Sequence, residues 1–320
     1  MTTATLQTDL DPALFKPDAI EAETSAFNKQ LAEVLSTVPP VWTQPPAVTR
    51  QAREEGRGPT GPIVLSDMAV NRTIDGPAGA LPIRVFVPDT VTGVYLHFHG
   101  GGWTLGRPHH HDLGLEGIAK RSRQAVVSVD YRLAPENPYP AGPDDCEAAA
   151  LWLIDNAQRE FGASRLCIGG DSAGANLAVV TLLRLRDKHG LTPFECANLI
   201  YGCYDLTGTP SVKQSPPDTL ILTPQAIDWF TNQYVPDAAE RRTTDVSPLW
   251  ADLHNMPRAL FSVGTLDPLV DDTLFMYGRW IAAGNEAELA VYPGGVHGFI
   301  GMPYGLARRA NERGQQFLCR

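Results

Sequence analysis

The stretch CIGGDSAGAN, residues 167–176, constrains the fold of this chain more than any other. One serine, Ser172, stands between Gly170 and Gly174, with an apolar run ahead of it and alanine-rich sequence behind. Glycine two places to either side permits a sharp strand-to-helix turn where a larger flanking side chain would strike the neighbouring segment. Such a turn lifts the central hydroxyl into the open. The surroundings supply both elements: residues 165–168 carry the pattern of a short buried strand, and 173–189 reads as a helix closed by Gly190. The pentapeptide alone is weak, because this glycine and serine content yields one G-x-S-x-G in roughly ten shuffles. A serine here also serves as an ordinary helix N-cap. Other segments have to decide.

Around that turn, apolar strands and helices alternate. Strand patterns fall at 64–71, 81–87 and 94–99, followed by a helix at 113–123, a strand at 125–130 and a helix at 144–160. The alternation resumes with strands at 198–201 and 259–263, a helix at 271–283, a strand at 287–292 and a last helix from Leu306. This order predicts an α/β protein with parallel strands joined by crossover helices. Between 205 and 258 the pattern lapses into proline-rich, polar sequence with one helical piece, TPQAIDWFTNQYV, capped by Thr223. It reads as an insertion above the strand ends, where it would cover a site. Residues 11–37 show helical spacing, and the proline-rich 39–46 closes that region like a linker.

The second chemical signal is HFHGGGW, residues 97–103, at the end of a strand. Consecutive glycines leave N–H groups uncovered and free to converge on a developing oxyanion. An H-G-G-G string arises in fewer than about one shuffle in a hundred. Gly101 and Gly102 are the candidate donors, with the N–H of Ala173 as the third. A serine hydroxyl needs a base, and the base needs a carboxylate to orient it. GTLDPLVDD places Asp267 after the strand at 259–263, and YPGGVHGF places His297 after the strand at 287–292. Ser172, Asp267 and His297 follow the chain order of α/β-hydrolase triads rather than that of other serine-protease scaffolds. The plainer readings are a turn-forming aspartate before Pro268 and a loop histidine. Asp271 and Asp272 belong on the next helix, as stand-ins or surface charge.

Together HGGGW, GDSAG, DYRLAPE at 130–136, DPLVDD and VHGF resemble the hormone-sensitive-lipase-like α/β-hydrolases, family IV of the bacterial esterases. The resemblance covers residues 60–320. It implies an eight-stranded, mostly parallel sheet flanked by helices, a helical cap, and hydrolysis of short- to medium-chain acyl esters through Ser172, Asp267 and His297. The implied oxyanion hole is Gly101, Gly102 and Ala173. The division that follows is a cap segment at 1–46, core at 47–204, a cap insertion at 205–250 and the rest of the core at 251–320. Asp130, Arg132 and Glu136 are expected to pair internally, and Asp171 to hold the serine turn by hydrogen bonds. Trp42, Trp229 and Phe230 are candidates for lining the pocket, with packing inside the cap as the alternative.

Other function classes lose support. The net charge of −10, with no basic run, argues against nucleic-acid or anionic-membrane partners. Five cysteines without a C-x-x-C pair fit reduced thiols in a cytoplasmic setting, and the N-terminus carries neither a signal peptide pattern nor an anchor. GRGPTG at 56–61 lacks the preceding strand and following helix that a dinucleotide site needs. The HHH at 109–111 is read as a solvated or helix-leading loop rather than a metal site, because neighbouring side chains diverge and no H-x-x-x-H pattern is present; Asp112 is a possible cap. No cofactor or metal is expected, the partner is a small-molecule ester, and a homo-oligomer stays open. An amidase with the same triad, and a non-catalytic receptor of the same fold, are the competing readings. The absence of an interfacial amphipathic lid predicts falling rates on long acyl chains.

Overall fold

The computed structural model describes residues 10–58 and 61–320. The first nine residues and positions 59 and 60 of the glycine string at 56–61 lie outside that range. The strands in chain order are β1 (Ala69–Gly76), β2 (Gly79–Phe86), β3 (Gly93–Phe98), β4 (Gln124–Val129), β5 (Leu166–Asp171), β6 (Phe194–Ile200), β7 (Arg258–Gly264) and β8 (Ala287–Tyr292). They form one eight-stranded sheet in the order β1-β2-β4-β3-β5-β6-β7-β8. Only the β1–β2 and β2–β4 pairs are antiparallel; the rest are parallel.

Helices α1 (Ala22–Leu35) and α2 (Pro46–Glu54) precede the sheet. α3 (Asp112–Ser122), α4 (Ala141–Phe161) and α5 (Ala173–His189) connect its central strands. α6 (Pro210–Gln214) and α7 (Pro224–Tyr234) lie between β6 and β7, and α8 (Val270–Ala282) and α9 (Gly305–Leu318) complete the described helices. β3, β4 and β5 are buried at every position, because parallel strands are covered on both faces. Val94, Leu96 and Phe98 join one apolar cluster with Leu153 of α4 and Leu177 of α5. Tyr95 joins the other, with Leu115 of α3 and Phe317 of α9. Successive side chains of one strand thus anchor the two helical layers. Among the described residues no helix is long and apolar enough to cross a membrane.

Two local expectations shift. β1 starts at Ala69 rather than at 64, and Val64 and Leu65 stay exposed. Their apolar character mimics a strand, but pairing begins only where the chain folds back on β2 through the two residues between Gly76 and Gly79. The supposed linker at 39–46 leads directly into α2. Pro46 sits in its first turn, where the missing N–H costs nothing and the fixed φ favours helix. Arg50 of α2 donates from Nε to the Thr104 carbonyl at 2.8 Å, from Nη2 to the Ala134 carbonyl at 2.6 Å, and from Nη1 to Glu136 at 2.9 Å. The helix is thereby tied to the loop that follows the glycine string.

The DYRLAPE residues pair internally. Asp130 accepts from Arg107, Arg132 donates to Asp145 of α4, and Glu136 accepts from Arg50. Asp112 does not cap α3: it is buried, takes the Ser66 N–H at 2.9 Å and pairs with Arg84. A guanidinium offers more compensation to a buried carboxylate than a helix end does.

Candidate active site

β5 ends at Asp171, and Ser172 turns the chain into α5 with φ 56° and ψ −120°. A non-glycine residue at positive φ is strained, and here the Ser172 N–H is pinned to the Ile200 carbonyl at 2.9 Å. The flanking glycines answer to close approach. A Cβ on Gly170 would lie 2.2 Å from the Phe98 carbonyl oxygen, and one on Gly174 would lie 1.9 Å from the same atom. Both sides of the serine turn press against the end of β3, where no side chain fits.

Asp267 and His297 reach this turn on two loops laced together by their backbones. Thr265 N–H donates to the Tyr292 carbonyl and Leu266 N–H to the Gly295 carbonyl, each at 3.0 Å. The result is a hydrogen-bonded line: His297 Nε2 lies 2.9 Å from Ser172 Oγ, and His297 Nδ1 lies 2.8 Å from Asp267 Oδ2. Asp267 Oδ1 takes the Leu269 N–H at 2.9 Å. The carboxylate accepts from Nδ1–H, so the Nε2 lone pair faces the serine hydroxyl. Asp267 and His297 are buried, 2% and 7% exposed, whereas Ser172 is only half-buried. The Ser172 hydroxyl meets the cavity while its two partners stay away from bulk water.

The glycine string passes beside this line. Asp171 Oδ1 takes the Gly100 N–H at 3.1 Å, joining the serine turn to the string. Burial alone would raise the Asp171 carboxyl, yet His111, His97 and His99 outweigh it and hold it well below the usual carboxylate range. The N–H groups of Gly101, Gly102 and Ala173 meet no acceptor among the described residues. Those of Gly101 and Gly102 belong to a turn, and that of Ala173 opens α5, where the first N–H groups of a helix are free.

Helix α7 clamps the string from above. Trp103 stacks on Tyr234 with centroids 4.5 Å apart and an interplanar angle of 5°. One turn earlier Phe230 covers Gly102. A cavity of about 1190 Å³ opens over Ser172 and His297, lined by Trp42, Tyr201, Leu222, Ile227 and Phe230 among others. Trp229 packs edge-on against Phe230 at 5.0 Å and is not a lining residue. Sequence reasoning missed Tyr201, whose ring lies 4.8 Å from that of His297. Its place directly after β6 was the available signal, since side chains at strand ends gather around such sites.

Asp271 and Asp272 lie in the first turn of α8, as expected, and of the two only Asp272 is too buried to be surface charge. Asp271 takes the Ser211 N–H at 2.8 Å. Asp272 is fully buried and accepts from the Tyr204 and Asp205 N–H groups and the Thr209 hydroxyl. Burial pushes its carboxyl up to about 7 against those three donors. Both aspartates fasten the segment after β6 onto α8.

A family model described as the alpha/beta hydrolase fold matches residues 95–301. The chain belongs to this α/β-hydrolase family. The motifs that resemble its hormone-sensitive-lipase-like members, from HGGGW to VHGF, all fall inside the matched span. Among curated relatives, Carboxylesterase NlhH of Mycobacterium tuberculosis is 33% identical over 317 residues, covering 95% of this chain and 96% of that one. Carboxylic ester hydrolase LipN of the same organism is 36% identical over 252 residues, 76% of this chain but 66% of the relative, just under two thirds of its length. The hyperthermophilic esterase from the archaeon Pyrobaculum calidifontis superposes with a TM-score of 0.85 at 30% identity, over 92% of this chain and 97% of that one.

Proposed function

We propose that this protein is a serine carboxylesterase acting on short- to medium-chain acyl esters through an acyl-enzyme on Ser172. The observation that carries the reading is the line Asp267–His297–Ser172 at the base of a cavity, beside N–H groups that meet no acceptor among the described residues. The protein is a carboxylic ester hydrolase, and its partner is a small-molecule ester. His297 Nε2 takes the Ser172 proton as Oγ attacks the ester carbonyl, and Asp267 steadies the imidazolium. The N–H groups of Gly101, Gly102 and Ala173 hold the oxyanion. His297 then protonates the departing alcohol, activates water, and the acyl group leaves as the acid. In this reading the described parts of 1–46 and 205–250 form the cap over the cavity.

Gly102 offers a direct test of the oxyanion assignment. A Cβ there would lie 2.2 Å from Phe230 Cδ1, at a backbone φ of +59°. Gly102→Ala therefore forces the string or α7 to move, and the misplaced donor lowers kcat by about 10²–10³. Adding Phe230→Ala makes room and restores part of the loss. Wild-type turnover in the single variant would remove Gly102 from the hole.

The substrate class is tested by p-nitrophenyl esters of increasing acyl length beside matched anilides. The cavity over Ser172 shelters a medium chain, but a longer one leaves methylenes in water. Butyrate is expected to turn over at least about tenfold faster than palmitate, and the anilide far more slowly than its ester. Equal rates on palmitate would overturn the chain-length limit, and faster anilide cleavage would favour an amidase.

A further inference from the structure

We propose that Glu54, His109 and His110 form a binding site for a borderline divalent metal ion, for which zinc is the fitting probe. The three side chains come from elements far apart in sequence. Glu54 ends α2, and His109 and His110 lie in the short turn Pro108–His111 that leads into α3. The idea that adjacent histidines must diverge fails for this pair. His109 Nε2 and His110 Nε2 each lie 2.9 Å from a different oxygen of the Glu54 carboxylate. Only His111 turns away, towards Asp171, at 3.7 Å from its Oδ1.

The donor set and its spacing suit zinc. Two imidazole nitrogens and one carboxylate oxygen, all within 4.8 Å of one another, are the ligands of an open three-residue site with room for water as the fourth. Tetrahedral zinc places its ligand atoms roughly 3.4 Å apart, so the 2.9 Å contacts to the two Glu54 oxygens open by about half an ångström, and any donor pair at the 4.8 Å limit closes by about 1.4 Å, within reach of side-chain rotation. His110 Nδ1 is buried and has no partner among the described residues, so ligation through Nε2 leaves its N–H without an acceptor and weakens the site. The Glu54 and His109 side chains are 45% and 29% exposed, which gives an ion a way in. The neighbouring Arg53 guanidinium opposes a cation, so the expected affinity is micromolar rather than nanomolar.

An ion held here would join α2 to the turn before α3 and add to the grip of Arg50 on Thr104 and Glu136. The inference does not depend on the esterase reading. Its test is calorimetric titration of tag-free protein with zinc chloride, beside melting curves. Wild type is expected to take one equivalent and to melt roughly 5 °C higher at saturating zinc. His109→Ala and, as the milder change, Glu54→Gln each weaken binding at least about tenfold and lose the shift. His297→Ala keeps both, which separates this site from the imidazole beside Ser172. No binding to wild type up to about 1 mM zinc, undiminished binding in both site variants, or loss of binding in His297→Ala would overturn the proposal.

Discussion

Replacing Ser172 with alanine is expected to lower kcat on p-nitrophenyl butyrate by about a million-fold, with the melting temperature shifted by no more than a few degrees. The size follows from what the substitution leaves behind. Oγ is the only atom removed, so the cavity, the uncommitted N–H groups and the His297–Asp267 bond at 2.8 Å all persist. Water must then attack without a covalent intermediate, and the residual rate reflects only positioning and oxyanion stabilisation. Folding loses one hydrogen bond from a half-buried hydroxyl, about 1 kcal/mol. The backbone strain at φ 56° remains in both proteins and cancels. Stopped-flow and long-time hydrolysis assays, with circular dichroism on the same sample, measure both halves. A variant that keeps more than about one per cent of wild-type kcat would show that another nucleophile carries the reaction.

The convergence of Ser172, Asp267 and His297 was more legible in the sequence than the architecture around it. Ser172, Asp267 and His297 could be named because Ser172 follows its strand directly and the other two sit one short loop beyond theirs, and parallel strands bring such ends to one edge of a sheet. The glycines could be read because close approach admits no side chain, whichever partner lies opposite. The partners themselves could not. That Gly102 faces Phe230 depends on where an insertion of more than forty residues folds back, and no local periodicity encodes this return. The second helix was hidden for a related reason: its prolines look like breakers until Pro46 is seen to begin a helix. Asp272 looked like surface charge because sequence cannot show two backbone N–H groups and a hydroxyl converging on it. Glu54 passed unnoticed because its partners lie 55 and 56 residues away.

Asp267→Asn should cost about 10⁴ in kcat while leaving the fold intact, because an amide cannot satisfy both neighbours of this carboxylate. Oδ1 accepts the Leu269 N–H and Oδ2 accepts from His297 Nδ1. If the amide oxygen stays on Leu269, the NH₂ group faces Nδ1 and can only donate to it. The imidazole must then carry its proton on Nε2, where it meets the serine oxygen as a donor and cannot take the hydroxyl proton. If the amide flips, its oxygen restores the contact to His297, but two donors oppose each other at Leu269 in a site 2% exposed. Either arrangement also removes the negative charge that steadies the imidazolium during attack. No neighbour can step in, since Asp271 is held by the Ser211 N–H and Asp272 by its three donors beneath the insertion. Stopped-flow acylation with p-nitrophenyl butyrate measures the loss, and proton NMR of the low-field imidazole resonance reports the tautomer. Full acylation in Asp267→Asn would mean that His297 is oriented by something other than this carboxylate. The third member would then have to be sought among the groups packed against its ring, of which Tyr201 is the first.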